Sequence, residues 1–243
     1  MQGNNELMLV CLYVDDIIYM GSSKSMIEDF KRSMMSHFEM SDLGLLHYFL
    51  GLEIKQMEGE IFVSQKNYAE NLLKKFNMLH CKQSATPMNT GEKLYLNDGS
   101  GEADARSYRK LVGGLIYLTH TSPDIMFAVG IISRFMQCPT KHHFGAARRV
   151  PRYIAGTLSY GLHYTHVNDF KLYGYTDNDW AGSIEDRKST SGCVFIMGSA
   201  AVTWSSKKQE ITALSTTEAE YVATTSSACQ AIWIRRILTN MGQ

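Results

Sequence analysis

Residues 7–20 read LMLVCLYVDDIIYM, and two adjacent carboxylates, Asp15 and Asp16, interrupt an otherwise continuous apolar run. Burying an unpaired carboxylate costs several kcal/mol even after relaxation, so such a pair demands a compensating partner. The simplest local reading is a hairpin: LMLVCLYV and IIYM as strands, the aspartates at or near the turn, and Gly21-Ser22-Ser23 as a breaker. An Asp-Asp hairpin turn admits two uses. It is a common exposed turn, or it is a rigid mount for divalent cations. Two Mg²⁺ ions about 3.5–4 Å apart, held by carboxylates, are the usual device of phosphoryl transfer.

Working outward, KSMIEDFKRSMMSHF places Met26, Phe30, Met34 and Phe38 at spacings of four, one face of a helix. HYFLGLEIKQ and EIFVS read as a hairpin around Glu58-Gly59, and Ser64 as the cap of a helix through Phe76 with Tyr68, Leu72, Leu73 and Phe76 inward. Residues 82–105, rich in Gly, Ser, Thr, Asn and Asp, read as a long loop. Three helices are expected over about 105–120, 123–137 and 141–155. Pro123 suits a first turn, whereas Pro151 should kink or break the third helix. From about residue 168, FKLYGYT, GCVFIMG and AVTWSSK read as strands, the last two joined near Gly198-Ser199. A helix from about Thr216 to Leu238 follows.

The 243 residues are 44% hydrophobic, enough for a real core in a globular, soluble chain. Twenty-four basic and 24 acidic residues cancel, so net charge selects no partner. Between Asp124 and Asp169 there is no acidic residue, yet Arg134, Lys141, Arg148, Arg149 and Arg152 all fall there. That stretch is either a phosphate-facing strip or a solvated helix face. Five scattered cysteines without a CxxC pair suit a reducing compartment, which points to an intracellular, cytoplasmic or nuclear protein. His163 and His166 lack the further ligands of a zinc site. No secretory signal or membrane span is visible. The opening directly on a strand suggests a domain continued upstream.

A second acidic constellation lies in YTDNDWAGS and ALSTTEAEY. Asp177 falls at the end of a strand. Ser215-x-x-Glu218 is a capping box, a sufficient reason for that glutamate. Stepping from Glu218 gives Val222, Thr225, Cys229, Trp233 and Ile237, the most apolar line of the helix. Glu218 is therefore expected to head the core-facing stripe, where a cation would offset its burial.

The stretches YVDDIIYMGS, SDLGLLHYFLGLEI, SQKNYAENLLKKF, YRKLVGGLIYLTHTSPDI, DRKSTSGCVFIMGSAAVTWSSKKQ and ALSTTEAEYVA together resemble the Pol polyprotein of copia-type long-terminal-repeat retrotransposons, elements abundant in plants. The resemblance covers nearly the whole chain in the order reverse transcriptase, connecting helices, RNase H. It implies an α+β architecture. Residues 1–63 would be the C-terminal part of a polymerase palm with a primer-grip-like hairpin, and 64–165 thumb or connection helices. Residues 166–243 would be the N-terminal part of an incomplete RNase H-like α/β domain, one helix across its sheet.

It also implies roles. Asp15 and Asp16 match the catalytic, metal-holding aspartates of YxDD, Asp15 being the principal ligand. Tyr13 and Val14 match positions beside the primer terminus, and Leu50 and Gly51 the primer grip. Asp177 and Glu218 match the first two of four RNase H metal ligands. Lys141, Arg148, Arg149 and Arg152 are candidate backbone contacts. The implied cofactor is Mg²⁺ or Mn²⁺. The implied partners are an RNA–DNA hybrid or primed RNA template, with deoxynucleotides once the missing segments are supplied; no membrane is involved.

Departures are specific. The family polymerase uses a further aspartate upstream of YxDD and a fingers region, and RNase H uses two later carboxylates; none is among these residues. Pro151 stands where family members carry an apolar residue, which suggests drift without selection. Two further readings compete: a non-catalytic nucleic-acid-binding remnant, and an inert translated relic whose incomplete sheet edge invites aggregation.

Overall fold

The computed structural model describes residues 6–168 and 170–242. The chain is mixed α/β and divides into two compact units, one formed by residues up to His47 together with those from Arg235 onward, the other by Tyr48–Ile234.

In the first unit, β1 (Met8–Tyr13) and β2 (Asp16–Gly21) form an antiparallel hairpin in which Tyr13 faces Asp16 and Met8 faces Gly21. Helix α1 (Lys24–His37) follows at once, capped by the Ser23 hydroxyl, which accepts from the Met26 N–H at 3.3 Å. The four-residue spacing marks its covered face, since Met26, Phe30 and Met34 are half-buried and the Phe30 ring lies 5.2 Å from that of Tyr19. Phe38 departs from expectation: the helix has ended there and the ring is exposed. Asp42 accepts from Gly44 N–H at 3.0 Å and pairs with Lys31, which holds its carboxyl below the ordinary range. No residue of α1 is fully buried, so this unit is thin.

The second unit begins with a meander. The stretch HYFLGLEIKQ folds back on itself instead of running as one strand: β3 (Tyr48–Phe49) and β4 (Leu52–Met57) are joined by Leu50-Gly51. β4 then pairs with β5 (Glu60–Ser64) across the expected Glu58-Gly59 turn. Helix α2 (Lys66–Lys75) buries Leu72 and Leu73 as expected, but Ser64 does not cap it. Ser64 is a buried strand residue, and the Glu53 carboxylate of β4 accepts the Asn67 N–H at 2.6 Å instead. An anion from a neighbouring strand serves the helix N-terminus as well as a local hydroxyl would.

The long loop leads to α3 (Ala105–Leu118), a 3₁₀ turn at Pro123–Ile125, α4 (Met126–Ser133) and α5 (Lys141–Ile154). With α2 these helices enclose the main core, centred on Tyr108, Leu111, Leu115, Ile132 and Val150. Tyr108 is fully buried, its hydroxyl donates to Ile132 O at 2.7 Å, and burial pushes its phenol pKa up. Pro151 does not break α5. It lies buried in the last turn, where its missing N–H forfeits one backbone bond and the helix closes normally through Ala155 N–H to Pro151 O at 2.9 Å.

A strand that periodicity missed, β6 (Leu162–Thr165), pairs antiparallel with β5, and the His163 ring lies 3.0 Å from the Glu60 carboxylate. The sheet order is thus β3-β4-β5-β6. A separate sheet, β7-β8-β9, comprises β7 (Leu172–Asn178), β8 (Thr190–Met197) and β9 (Ala200–Lys208), with the expected turn at Gly198-Ser199. Trp204 of β9 donates its indole N–H to Thr119 O at 2.9 Å, tying this sheet to the helical core. Helix α6 (Thr216–Asn240) follows.

The loop between α2 and α3 is pinned by Asp98. Its carboxylate accepts from the Ser100 amide at 2.8 Å, the Ser100 hydroxyl at 2.6 Å and the Thr140 hydroxyl at 2.5 Å, and Thr140 is the N-cap of α5. The Ser100 and Thr140 hydroxyls hold the Asp98 pKa at about 2, below its ordinary 3.8. A depressed carboxylate pKa gives stability that is present above 3.8 and lost as pH falls toward 2. An acid titration of the native protein is expected to show this loss in near-ultraviolet dichroism over that window, and Asp98→Asn to lack the increment.

Candidate functional site

The hairpin tip carries Tyr13-Val14-Asp15-Asp16. Val14 and Asp15 are the two turn residues and Asp16 opens β2 opposite Tyr13, so the four side chains are held within one turn. Val14 has φ 50°, and Asp15 is not among the residues of positive φ. Positive φ at the first turn position alone is the type II′ pattern, where glycine is usual. A β-branched residue there is strained, and such strain gathers at functional sites held by their surroundings. Val14 is also 78% exposed, so its side chain gains little from burial. Val14→Asn is therefore expected to raise stability by about 1 kcal/mol, read as an increase in thermal midpoint.

The premise of buried aspartates does not hold. Asp15 and Asp16 are both exposed, because the thin first unit leaves Val10, Leu12 and Val14 around them exposed as well. An apolar flank looked like burial, yet the hairpin end projects beyond its packing. What fits a divalent cation is therefore the donor set. Mg²⁺ is commonly held by one or two carboxylates plus substrate phosphates, and two adjacent solvent-facing carboxylates on a rigid turn meet that requirement. Among the described residues no cluster of three or more His, Cys, Asp or Glu side chains is placed to hold a metal.

Leu50 and Gly51 form the β3–β4 turn with φ 47° and 78°, the type I′ pattern. Glycine meets that demand at Gly51; leucine at Leu50 does not. The Tyr117 hydroxyl of α3 donates to Leu50 O, and a side chain at position 51 would collide with it. The Tyr117 ring is backed by Tyr68 at 4.6 Å. Tyr117 carries no local signal of this role; only the folded pairing of α3 with this turn reveals it.

Asp177 is the penultimate residue of β7 and is exposed. Glu218 realises half of the capping box, its side chain reaching the residue before the cap instead of the cap's own N–H. Its Oε2 accepts from Leu214 N–H at 2.6 Å while its own N–H donates to the Ser215 hydroxyl at 3.1 Å. The Gln209 amide donates to Ser191 Oγ and to Ala219 O, each at 2.9 Å, which fixes the start of α6 near the end of the sheet that carries Asp177. Glu218 does not head a buried stripe. The buried residues of α6 are Ala219, Ala223 and Ile234, one position further round, while Trp233 is 56% exposed and Cys229 is exposed.

The basic stretch is not one strip. Arg149 donates to Thr86 O and Thr86 Oγ1 at 3.1 and 2.9 Å, and Arg152 to Lys82 O at 2.8 Å; both fasten the long loop to α5. Arg134 donates to Thr190 Oγ1 at 2.9 Å. Lys141 and Arg148 remain exposed and line a cleft of about 380 Å³ with Ser107 and Phe144, over whose ring the Arg148 guanidinium lies at 5.3 Å.

A family model for reverse transcriptase (RNA-dependent DNA polymerase) matches residues 1–90, which include the Asp-Asp hairpin and the Leu50-Gly51 turn. A retrovirus-related Pol polyprotein from transposon RE2 of Arabidopsis thaliana is 40% identical over 100% of this chain, which spans 17% of that polyprotein. An uncharacterized mitochondrial protein of the same plant is 40% identical over 93% of this chain and 94% of its own length. A transposon Ty5-1 protein of Saccharomyces cerevisiae is 32% identical over 91% of this chain and 73% of its own length. The chain belongs to the copia-type retrotransposon Pol family, in its reverse-transcriptase-related part. It spans only 16–17% of the length of the two Arabidopsis transposon polyproteins it matches. No solved structure matches it. Among the described residues no helix is long and apolar enough to cross a membrane.

Proposed function

We propose that this chain is a portion of an RNA-directed DNA polymerase with RNase H, whose chemistry is two-metal phosphoryl transfer and which does not turn over by itself. The observation that carries this reading is the strained, exposed hairpin tip Tyr13-Val14-Asp15-Asp16. Residues 1–63 serve as the end of the palm with the Leu50-Gly51 turn as primer grip, 64–165 as thumb or connection, and 166–243 as the start of an RNase H-like domain. Asp15, with Asp16 beside it, holds Mg²⁺ or Mn²⁺, and the bound cation supplies charge stabilisation at the transferring phosphate. Tyr13 and Val14 lie against the primer terminus. Asp177 offers a whole carboxylate and Glu218 its Oε1, one oxygen being committed to the helix cap. The partners are a primed RNA template, an RNA–DNA hybrid and, in the completed enzyme, deoxynucleotides. Incubating the purified chain with Mg²⁺ or Mn²⁺ on a primed RNA template should give no extension, and on a hybrid no cleavage. Robust extension abolished by Asp15→Asn would refute the inactivity.

The cleft beside Lys141, Phe144 and Arg148 favours a second reading, a non-catalytic nucleic-acid-binding remnant. Aromatic and cationic side chains side by side suit a nucleic-acid strand. Under it, duplex binding is salt-dependent, and replacing Lys141 and Arg148 flattens the salt slope by about one unit per lost phosphate contact.

A further inference from the structure

We propose that Tyr117 is a positioning residue for primer extension: from α3 its hydroxyl fixes the central peptide of the Leu50-Gly51 turn, and that peptide sets where the primer's 3′ end rests. The inference rests on the reading of this turn as the primer grip. The turn needs an outside hold. Leu50 stands at φ 47°, a conformation that is unfavourable for leucine and harmless for Gly51 at φ 78°. The Leu50 side chain is 40% exposed, so its burial does little to offset the strain. The strand that leads into the turn, β3, is two residues long and meets β4 through two facing pairs, Tyr48 with Glu53 and Phe49 with Leu52.

The hold comes from α3. The Tyr117 hydroxyl donates to Leu50 O, and a Cβ at Gly51 would strike that same hydroxyl. A peptide is planar and trans, so anchoring the Leu50 carbonyl also fixes the direction of the Gly51 N–H. Tyr117 is itself held by its neighbours. The Tyr68 ring of α2 lies 4.6 Å from its ring and the His120 ring 5.6 Å. The Tyr68 hydroxyl donates to Gly114 O at 3.4 Å, and Gly114 lets Leu72 of α2 lie directly against the α3 backbone. Leu115 and Leu118, two residues before Tyr117 and one after it, are buried in the core. The donor thus stands on a rigid element and acts on a strained, briefly paired one, which is how a scaffold sets the geometry of a site. A tyrosine that only filled space would need its ring alone; here the hydroxyl is committed to a turn carbonyl.

Tyr117→Phe keeps the ring and removes the donor. In this chain its thermal midpoint should stay within a few degrees of the wild type. Amide exchange of Leu52, which faces Phe49 across the turn, should quicken by about three- to tenfold, while that of the buried Leu111 and Leu115 stays unchanged. In a polypeptide that joins this chain to upstream Pol sequence, Tyr117→Phe should lower kcat for primer extension by at least about tenfold and move KM for the primed template by less than about twofold, since a misplaced terminus slows chemistry more than binding. Tyr68→Phe, the same chemical change on the neighbouring ring, should leave both constants in place. Gly51→Ala disturbs the turn directly and separates the inference from the reading beneath it. Extension lost in Gly51→Ala but kept in Tyr117→Phe would overturn the positioning role and leave the primer grip standing; extension kept in both would overturn the two together. A loss in Tyr117→Phe matched by an equal loss in Tyr68→Phe, or accompanied by collapse of the thermal midpoint, would make Tyr117 a packing residue and overturn the proposal as well.

Discussion

Asp15→Asn, made in a polypeptide that joins this chain to upstream Pol sequence, is expected to lower primer extension on the order of a thousandfold, about 4 kcal/mol of transition-state stabilisation. The loss should fall on kcat. Asparagine keeps the volume and one oxygen of the side chain but removes the charge, and the turn that presents it is set by backbone φ at Val14 rather than by the carboxylate. Folding should therefore be unchanged while turnover collapses. Asp16→Asn should cost less. Asp16 opens β2 opposite Tyr13, whereas Asp15 stands at the apex of the turn. Single-turnover extension at saturating template separates these effects from binding. Equal losses at both positions would contradict Asp15 as principal ligand, and an unchanged rate at Asp15 would remove the hairpin from the chemistry.

Local pattern carried much of the secondary structure and little of what lies between elements. Residues at spacings of four identified the covered side of α1, and Pro123 the start of the 3₁₀ turn before α4, because each depends on a few neighbouring dihedrals. β6 escaped notice because Leu162–Thr165 is four residues long and becomes a strand only when β5 supplies a partner. The helix cap on α2 escaped for a similar reason, since Glu53 reaches it from another strand. At the site, the hairpin and its two turn residues were legible; their exposure was not. Apolar neighbours in sequence imply burial only where a second layer covers them, and among the described residues none covers Leu12 and Val14. Arg149 and Arg152 read as candidates for phosphate contact until the loop carbonyls at Thr86 and Lys82 claimed their donors. Tyr117 had no sequence signal as a turn clamp at all.

The orientation of α6 can be settled by contrast with the core. Leu111→Ala is expected to destabilise the protein by about 2–5 kcal/mol, because Leu111 is fully buried among α2–α5 and its removal leaves a cavity as well as lost transfer energy. Against the marginal stability typical of a domain, about 5–15 kcal/mol, that is a large share. Trp233→Ala, by the wheel reading the gravest loss on α6, should instead cost less than about 1 kcal/mol, since the ring is 56% exposed and the buried residues of the helix are Ala219, Ala223 and Ile234. Enlarging the alanine line reverses the expectation. Ala223→Leu should cost about 1–3 kcal/mol, because Ala223 is buried and the extra methylenes must displace what covers it. Urea denaturation of the three variants measures all of this on one scale. If Trp233→Ala proved as costly as Leu111→Ala while Ala223→Leu was neutral, the helix would be turned by one residue. Glu218 would then head the buried line after all, and its carboxylate would need a cation there.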